Sequence, residues 1–491
     1  MSEKRNLKIA VIGSGSSYLP DIALMLIEDK DSMPVDEWAL MDIDEYRLNC
    51  TGKYCKKMLE DAGLKTKVTL TTDLKEALTD ANFAITTIRV GMSDMRLLDE
   101  SIPNKYNFVG QETTAPGGFM MGLRNIPDMV NIAKTLEEVG HEGAWLINLA
   151  NPSGMMTEAL VRYTNVNCVG LCNGPTVFNR LMRMYFADEI EKEDDIFCMM
   201  SGLNHILYGK VFIKGKDRTV DAKYRLANGW GAAQPFRIES LPSNVMDFLD
   251  GWIAFGPYSR YYYSMQEVIN DQNSGIDQMA QNSIKFVGYL NNMLGEELIK
   301  PEMVANIHSR AEWVKLIESI TLDLMGKGDD RGFKLAQNSR GGRDYGRAGM
   351  DMIECLWTGR RRILNPDVVS RGTVPGFDGQ YVVTSTSIVD ASGVHPIVCD
   401  PLPPHILSMI QSAKQYEITA AKAAMTGSYI DCMEALMSSS LINDWNQARA
   451  CLDEMLVAQK DYLPNFKKVI EQIENGIDPL VEELKERDHI A

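Results

Sequence analysis

Two side chains able to bind a metal ion follow short apolar runs of the sequence. Cys172 follows residues 167–171, and His205 ends the segment Gly202-Leu203-Asn204-His205, which comes after residues 197–200. Such runs are typical of buried strands, so both side chains are predicted in loops at strand ends. A thiolate and an imidazole are both competent ligands for a divalent metal. Each residue alone also has an ordinary explanation, because free cysteine is usually a buried hydrophobe and histidine is common in loops.

Two arginines come after another apolar run. Residues 83–88 form a predicted strand that ends at Arg89, and Arg96 follows shortly after it. Parallel sheets bind ligands at the carboxyl ends of their strands, and guanidinium groups suit phosphate or carboxylate. The arginines therefore indicate an anion site. The alternative for Arg96 is a salt bridge to Asp99 or Glu100 on the same helix face.

Asparagines mark the next predicted strand, residues 144–150. Asn148 lies near the end of this strand, and Asn151 directly follows it. Neutral amides suit a carboxamide or sugar hydroxyls, whereas capping of the following helix is the ordinary alternative for Asn151. Together with the arginine, cysteine and histidine runs, these residues predict four strand ends that converge at one crevice.

A glycine-rich turn near the N-terminus indicates a dinucleotide site. Residues 7–12 predict a strand, which runs into Gly13-Ser14-Gly15-Ser16-Ser17 and then into an apolar helix. Glycines allow the backbone to approach a pyrophosphate, and the helix N-terminus offers free N–H groups. Asp42 ends the next predicted strand, where an acid binds the ribose hydroxyls of NAD and disfavours the extra phosphate of NADP. The alternative is a βαβ unit that binds no nucleotide. The predicted NAD-binding residues are Gly13, Gly15, Ser16, Ser17, Asp42 and Asn148.

Composition limits the possible partners and the location of the protein. The chain has 491 residues, of which 45% are hydrophobic and 24% charged, as in globular proteins of two or three domains. A net charge of −17 argues against nucleic acid as a partner. Nine scattered cysteines without CxxC pairs and the lack of a signal segment predict a reduced, cytoplasmic protein. No apolar run reaches ~18 residues, so no membrane span is expected.

The order of the predicted elements indicates an α/β fold. Strands and helices alternate through the first 200 residues, whereas the later part mixes strands, glycine-rich turns and a helical end. We predict a Rossmann-type NAD-binding domain over residues 1–200. A mixed α+β domain over residues 201–491 would bind substrate and metal and make oligomer contacts. This later part also holds an aromatic run with Tyr258, and Arg340 in a basic, glycine-rich loop.

Several segments of the chain match one protein family in both content and order. They are Gly13-Ser14-Gly15-Ser16 with Pro20, Arg89-Val90-Gly91, Met95-Arg96-Leu97-Leu98-Asp99-Glu100, Gly110-Gln111-Glu112-Thr113, Pro116-Gly117-Gly118, Asn151-Pro152, Leu171-Cys172-Asn173-Gly174-Pro175, Gly202-Leu203-Asn204-His205, Pro257-Tyr258 with Arg260-Tyr261-Tyr262, and Arg340-Gly341-Gly342. In combination they resemble glycoside hydrolase family 4, the NAD- and metal-dependent glycosidases, over most of the chain. The resemblance implies a second domain similar to the C-terminal fold of lactate and malate dehydrogenases.

The resemblance also implies hydrolysis through oxidation and elimination, an exception to the usual two-carboxylate mechanism. NAD⁺ would oxidise the C3 hydroxyl of the sugar, and a base would then remove the proton on C2. The leaving group would depart from C1, water would add, and NADH would reduce C3 again. Cys172 and His205 would hold the metal, manganese in most of the family, which stabilises the enediolate. Tyr258 would be the base.

The matched motifs further imply a class of substrate. The segments around Arg96 are similar to those of members that act on 6-phosphosugars, so Arg96, with Arg340, would bind the 6-phosphate. The other implied substrate-binding residues are Arg89, Asn151 and Asn173. The phospho-α-glucosidases carry aspartate, the candidate general acid, where this chain has Asn173, and an amide cannot donate a proton as a carboxylic acid does. A 6-phospho-β-glucoside, as a disaccharide or an aryl glycoside, is therefore expected.

Other functions stay open. Departures from the family motifs, Ala115 in place of glycine and the run Arg343-Asp344-Tyr345-Gly346, leave the aglycone and the need for the 6-phosphate unsettled. A relative in the same family would act on unphosphorylated, uronic-acid or α-linked glycosides. A 2-hydroxy-acid dehydrogenase would need no metal pair, and an NAD-sensing binding protein would not need Cys172 or Tyr258. Family habit implies a homodimer or homotetramer.

Overall fold

A computed structural model describes residues 6–229, 245, 248–249, 251–274, 278–340 and 342–490. The strands are β1 (Lys8–Ile12), β2 (Glu37–Met41), β3 (Lys67–Thr71), β4 (Phe83–Thr86), β5 (Trp145–Asn148), β6 (Asn167–Gly170), β7 (Ile196–Leu203), β8 (Ile206–Ile213), β9 (Lys216–Asp217), β10 (Ile253–Phe255), β11 (Arg362–Leu364), β12 (Asp367–Val369), β13 (Val382–Ser385), β14 (Ser387–Asp390) and β15 (Gly393–Pro396). The helices are α1 (Leu19–Glu28), α2 (Glu45–Asp61), α3 (Leu74–Leu78), α4 (Met92–Lys105), α5 (Ala115–Val139), α6 (Ser153–Tyr163), α7 (Asn173–Tyr185), α8 (Thr219–Gly229), α9 (Pro257–Tyr263), α10 (Met265–Asn273), α11 (Gln278–Lys285), α12 (Val287–Leu294), α13 (Pro301–Val304), α14 (Arg310–Gly326), α15 (Asp330–Arg340), α16 (Gly342–Thr358), α17 (Pro404–Thr426), α18 (Tyr429–Ser438), α19 (Trp445–Ala458), α20 (Lys467–Glu474) and α21 (Pro479–Ile490).

Most of the strands join one large sheet. Over the described ranges its order is β10-β8-β7-β13-β12-β6-β5-β4-β1-β2-β3, with β9 beside β8, and a smaller sheet has the order β11-β14-β15. The strands from β3 to β6 in that order all pair in parallel, which is the arrangement of a Rossmann fold. The following strands, from β12 to β10, join by antiparallel pairing. The predicted α/β fold, Rossmann-type first and mixed afterwards, is confirmed.

Successive residues of β1 enter two different cores. Ala10 and Ile12 pack in the core that holds α5, α6 and α17, whereas Ile9 and Val11 pack in the core that holds α1, α2 and α16. A sheet covered on both faces needs continuously apolar strands, because side chains alternate between the faces. The apolar runs stop where the strands leave these cores, so the polar residues that follow gather at one edge of the sheet.

Of two predictions about chain organisation, one is wrong and the other stays a prediction. The prediction of a loop around Arg340 is wrong for the most part, because α15 ends at Arg340 and α16 begins at Gly342. The side chain of Arg340 lies outside the described residues. The boundary predicted between residues 200 and 201 falls inside β7, so the two-domain division stays a prediction that would cut a continuous sheet. Across the described ranges, no helix combines the length and apolar character that membrane crossing requires.

Candidate active site

The carboxyl ends of the parallel strands open into a cavity of about 1560 Å³. Residues that follow β1, β2, β4, β5 and β6 line it, and the turn between β7 and β8 contributes a further side chain. The predicted site residues brought together there are Gly13, Gly15, Ser16, Asp42, Arg89, Arg96, Asn151, Cys172, Asn173 and His205. The cavity thus joins the nucleotide, anion and metal groups that were predicted from separate parts of the sequence.

The glycine turn after β1 and the acid after β2 are tied to each other. The Gly15 N–H donates to Asp42 Oδ2 at 2.7 Å, and the Gly13 N–H donates to the Met41 carbonyl at 2.9 Å. Gly13 has a φ of +96°, and a Cβ there would lie 2.9 Å from the Thr87 carbonyl carbon. Glycine is required because a side chain would be strained in this conformation and would have no space. A tight turn with glycine at positions 13 and 15, beside a carboxylate, fits the pyrophosphate and ribose of a dinucleotide.

Asp42→Ala is expected to weaken NAD binding and to lower the preference for NAD over NADP by about tenfold or more, because the carboxylate repels an added phosphate. Calorimetric titration with each cofactor measures the change. Asp44→Ala is the matched control, since Asp44 also lines the cavity but its carboxylate caps α2 by accepting from the Arg47 N–H at 3.0 Å. Equal losses of discrimination in the two variants would contradict the special role of Asp42.

Two predicted cofactor ligands turn away from the cavity. Ser17 is 1% exposed, and its side chain does not reach the cavity wall. Asn148 is fully buried at the end of β5, where its Oδ1 accepts from Thr86 Oγ1 at 3.0 Å and from the Ala150 N–H at 2.9 Å. Its Nδ2 donates to the Ala150 carbonyl at 3.1 Å. The Asn148 amide therefore shapes the strand end that carries Asn151, and a role for Asn148 in binding the cofactor stays a prediction.

Cys172 and His205 both line the cavity, and burial shifts the pKa of each side chain. Cys172 is the N-cap of α7, and its Sγ accepts from the Gly174 N–H at 3.4 Å. His205 stands in the turn between β7 and β8 with a φ of +66°, and its buried Nδ1 has no hydrogen-bond partner among the described residues. Burial raises the pKa of the Cys172 thiol to about 11 and lowers the pKa of the His205 ring to about 4.

These properties fit a divalent metal ion. A neutral imidazole with an unpartnered ring nitrogen is ready to bind a metal, and a nearby dication favours the thiolate that a metal requires. Across the described part of the chain, no group of three or more His, Cys, Asp or Glu side chains gathers to hold an ion. An ion held by Cys172 and His205 would keep coordination positions for oxygens of a substrate.

Arg89 and Arg96 share one carboxylate, that of Glu112. Glu112 Oε2 lies 2.6 Å from Arg89 Nη1 and 3.1 Å from Arg96 Nη1, while Arg96 Nε donates to Glu100 Oε1 at 2.7 Å. Burial would raise the pKa of Glu112, but the two arginines more than offset this and hold that pKa at about 2. The alternative salt bridge from Arg96 to Glu100 is confirmed. Both arginines also line the cavity, and their guanidinium groups are suited to a phosphate or a carboxylate of a ligand.

The aromatic run places a different tyrosine at the cavity. Tyr258, in α9, is 2% exposed and is not part of the cavity wall, which Pro257, Arg260 and Tyr261 line. Burial raises the pKa of Tyr258. The catalytic role of Tyr258 stays a prediction, and Tyr261, about one helical turn further along, is a second candidate.

Two further residues reach the site, although neither was predicted from the sequence to be a site residue. Glu112 is one, and its position in a polar loop rich in turn-forming residues was the available signal. Tyr345, on α16, is the other; it lines the cavity, and its phenol opposes the larger effect of burial on the pKa of Cys172. Nothing in the local sequence distinguishes Tyr345, because its approach to Cys172 depends on how α16 packs.

Comparison with known protein families covers most of the chain. The model of family 4 glycosyl hydrolase matches residues 8–187, and the model of the family 4 glycosyl hydrolase C-terminal domain matches residues 200–442. A probable 6-phospho-beta-glucosidase of Bacillus subtilis (strain 168) is 34% identical over 478 residues, which cover 95% of this chain and 99% of that protein. The 6-phospho-beta-glucosidase of Escherichia coli (strain K12) is 29% identical, over 97% of this chain and 100% of that protein.

Solved structures agree with the sequence matches. The 6-phospho-beta glucosidase from Thermotoga maritima, with manganese, NAD+ and glucose-6-phosphate, has a TM-score of 0.77 at 27% identity and covers 93% of this chain and 99% of that chain. A 6-phospho-alpha-glucosidase from gut microorganisms, at 22% identity and a TM-score of 0.77, shares the fold. With both family models matched along its length, the chain belongs to the family 4 glycosyl hydrolases.

Proposed function

We propose that the protein hydrolyses 6-phospho-β-glucosides and uses NAD and a divalent metal, manganese, as cofactors. The observation that carries this proposal is the meeting of an arginine pair, a Cys–His pair and a dinucleotide turn in one cavity. Relatives from Bacillus subtilis and Escherichia coli carry the name of this activity, and the Thermotoga maritima relative holds manganese, NAD+ and glucose-6-phosphate. Each pair of side chains therefore has a group to bind.

The arginine pair would bind the 6-phosphate in place of the Glu112 carboxylate. A phosphate offers three acceptor oxygens and more negative charge than a carboxylate, so Arg89 and Arg96 would bind it more strongly. Both arginines are held by ion pairs on the cavity wall, which keeps their guanidinium groups oriented before the substrate binds. This orientation would place the sugar ring relative to Cys172 and His205.

The remaining site residues divide the chemistry among them. Bound NAD supplies reversible hydride transfer at the sugar, and a bound metal supplies stabilisation of negative charge on the sugar oxygens. Asp42 and the glycine turn would orient the cofactor, and Cys172 and His205 would hold the ion. A tyrosine of α9 would take the C2 proton, since a phenol beside a dication loses its proton more readily.

Asn173 supports the β-linked substrate. It is the first residue of α7, beside Cys172, and lines the cavity. An amide is not a general acid, so this position offers no proton to the leaving group. The phospho-α-glucosidases that the chain resembles carry an aspartate there.

Phenylalanine variants separate the two candidate bases. Either Tyr258→Phe or Tyr261→Phe is expected to slow exchange of the substrate C2 proton with solvent deuterium by about 10²- to 10⁴-fold, because phenylalanine keeps the ring and removes the hydroxyl. Mass spectrometry of substrate recovered from D₂O measures the exchange, and the unaffected variant is the control for packing. Exchange at the wild-type rate in both variants would exclude both phenols as the base.

The function is tested with chelator-treated protein and four chromogenic substrates. These are the p-nitrophenyl α- and β-glucosides, each with and without a 6-phosphate, assayed while NAD⁺ and Mn²⁺ are added separately and together. Release of p-nitrophenol from the phosphorylated β-glucoside alone, and only with both additions, is expected. Release from an unphosphorylated glucoside, or without NAD⁺, would contradict the proposal.

A further inference from the structure

The strands that carry the two proposed metal ligands are not neighbours in the sheet. Cys172 follows β6 and His205 follows β7, and the order β6-β12-β13-β7 places two short strands between them. The distance between the two ligands therefore depends on how β12 and β13 pair, because β6 and β7 do not pair with each other. A residue that fixes these two strands also fixes the distance between the thiolate and the imidazole.

One row of paired residues crosses these four strands close to the metal ligands. Gly170 of β6 pairs with Asp367 of β12, Asp367 pairs with Thr384 of β13, and Thr384 pairs with Gly202 of β7. Gly170 and Gly202 stand shortly before Cys172 and His205 in the chain. Among the described residues, β12 and β6 pair through Asp367 and Gly170. The parallel and antiparallel parts of the sheet thus meet at Asp367.

The side chain of Asp367 ties the same elements together a second time. Its Oδ2 accepts from Ser153 Oγ at 2.5 Å, and its Oδ1 accepts from Thr384 Oγ1. Ser153 is the first residue of α6, directly after the Asn151 loop. Asp367 is 1% exposed, so both hydrogen bonds are shielded from water and hold the carboxylate in one orientation.

The carboxylate of Asp367 packs closely against Gly170 of β6. A Cβ on Gly170 would lie 2.8 Å from Asp367 Oδ2 and 2.5 Å from Ser153 Oγ. The carboxylate therefore packs against the backbone of β6 at Gly170, two residues before Cys172.

We propose that Asp367 is a positioning residue that sets the spacing of Cys172 and His205 and thereby the affinity for the metal ion. It acts through Gly170 on one side and through Thr384 and Gly202 on the other, without binding the ion itself. This inference rests on the metal site of the proposed function. Second-layer groups of this kind typically change metal affinity by about 10- to 100-fold when they are removed.

The test measures metal binding rather than turnover. Co²⁺ is titrated into chelator-treated wild type and Asp367→Asn, and the thiolate-to-cobalt charge-transfer band is followed; competition with Mn²⁺ then gives the dissociation constant for Mn²⁺. Asp367→Asn is expected to raise that constant about 10- to 100-fold and to weaken the band. NAD affinity, measured by calorimetry, is expected to change less than about twofold, because the glycine turn lies on other strands.

Asp431→Asn is the matched control for loss of a buried carboxylate. Asp431 is 2% exposed on α18, where it accepts from Lys422 Nζ at 2.8 Å and from Thr426 Oγ1 at 3.2 Å. This variant is expected to keep the wild-type band and the wild-type Mn²⁺ constant. A similar loss of metal affinity in both variants would overturn a specific role for Asp367, since general destabilisation would then explain it.

The remaining outcomes separate this inference from the proposed function. A wild-type band that Asp367→Asn leaves unchanged would overturn the inference alone, whereas no band in the wild type would overturn the proposed metal site as well. If Asp367→Asn does not fold, the inference is tested with Ser153→Ala and Thr384→Val, because each variant keeps the Asp367 carboxylate and removes one of its hydrogen bonds. A smaller rise of the Mn²⁺ constant in these variants supports the inference, and unchanged constants overturn it.

Discussion

Cys172→Ser is expected to lower the metal-dependent turnover of a 6-phospho-β-glucoside by about 10²- to 10³-fold or more, the scale seen when one group that stabilises developing charge is removed. A serine hydroxyl does not lose its proton at neutral pH, so the ion would lose its anionic ligand and would be held by His205 alone. Steady-state rates with Mn²⁺ restored after chelation measure the effect. NAD binding, measured by calorimetry, is expected to stay near the wild-type value, because the glycine turn lies at other strand ends.

Cys168→Ser is the matched control for this prediction. Cys168 lies on β6, the strand that leads to Cys172, and burial raises the pKa of its thiol to about 12. It packs against the core beneath the sheet rather than in the cavity wall. Wild-type turnover is expected for this variant. Full activity of Cys172→Ser with Mn²⁺ present would remove Cys172 from the metal site.

Arg96→Ala is expected to raise the KM for the phosphorylated substrate selectively. Truncating one member of a buried, charged hydrogen-bonded pair costs about 2–5 kcal/mol, which corresponds to a loss of roughly 30-fold or more in kcat/KM. Arg96 is 7% exposed and contacts both Glu100 and Glu112, so its removal also leaves two carboxylates with less compensation. Parallel kinetics on the phosphorylated and unphosphorylated β-glucosides measure the selectivity.

Arg180→Ala separates the anion site from the general charge of the cavity. Arg180 also lines the cavity, but its guanidinium pairs with Asp344 at 3.4 Å and its side chain is 50% exposed. A much smaller change in KM is expected, because exposed pairs of this kind contribute little. If Arg96→Ala affects both substrates equally, the assignment of the 6-phosphate to Arg96 is wrong.

The positions of Asp42, Arg89 and Cys172 at one cavity were predictable from the sequence. Each follows an apolar run that belongs to a parallel strand, and parallel strands end at the same edge of their sheet. The parallel pairing of these strands follows from the same pattern, because a strand, a helix and a second strand in succession favour parallel strands. The local pattern of apolar residues therefore predicts both the Rossmann-type fold of residues 1–200 and the location of the cavity at its strand ends.

The direction of individual side chains was not predictable in the same way. Asn148 and Asn151 stand at one strand end, yet the amide of Asn148 turns inward to Thr86 and only Asn151 reaches the cavity. Tyr258 and Tyr261 lie in one short run, and the packing of α9 decides which of them reaches the cavity wall. These outcomes depend on hydrogen bonds and packing between distant segments, which no local pattern records.

A departure from the family motif is explained by the backbone. Ala115, which stands where glycine is usual, adopts a φ of +56°. This left-handed conformation favours glycine, so the residue typical of the family is the one that avoids strain there. The Ala115 carbonyl accepts from the Tyr416 hydroxyl at 2.8 Å, which helps to keep the strained residue in place.

The carboxylates of Glu100 and Glu112 balance the charges of Arg89 and Arg96 before a substrate arrives. The protein as a whole carries a net charge of −17, so a doubly charged phosphate gains no attraction while it is still far away. Capture then depends on short-range exchange of the phosphate with the Glu112 carboxylate. Added salt, which screens charges more than about 10 Å apart at 0.1 M, will therefore not slow association, in contrast to an enzyme that draws its substrate in by long-range steering.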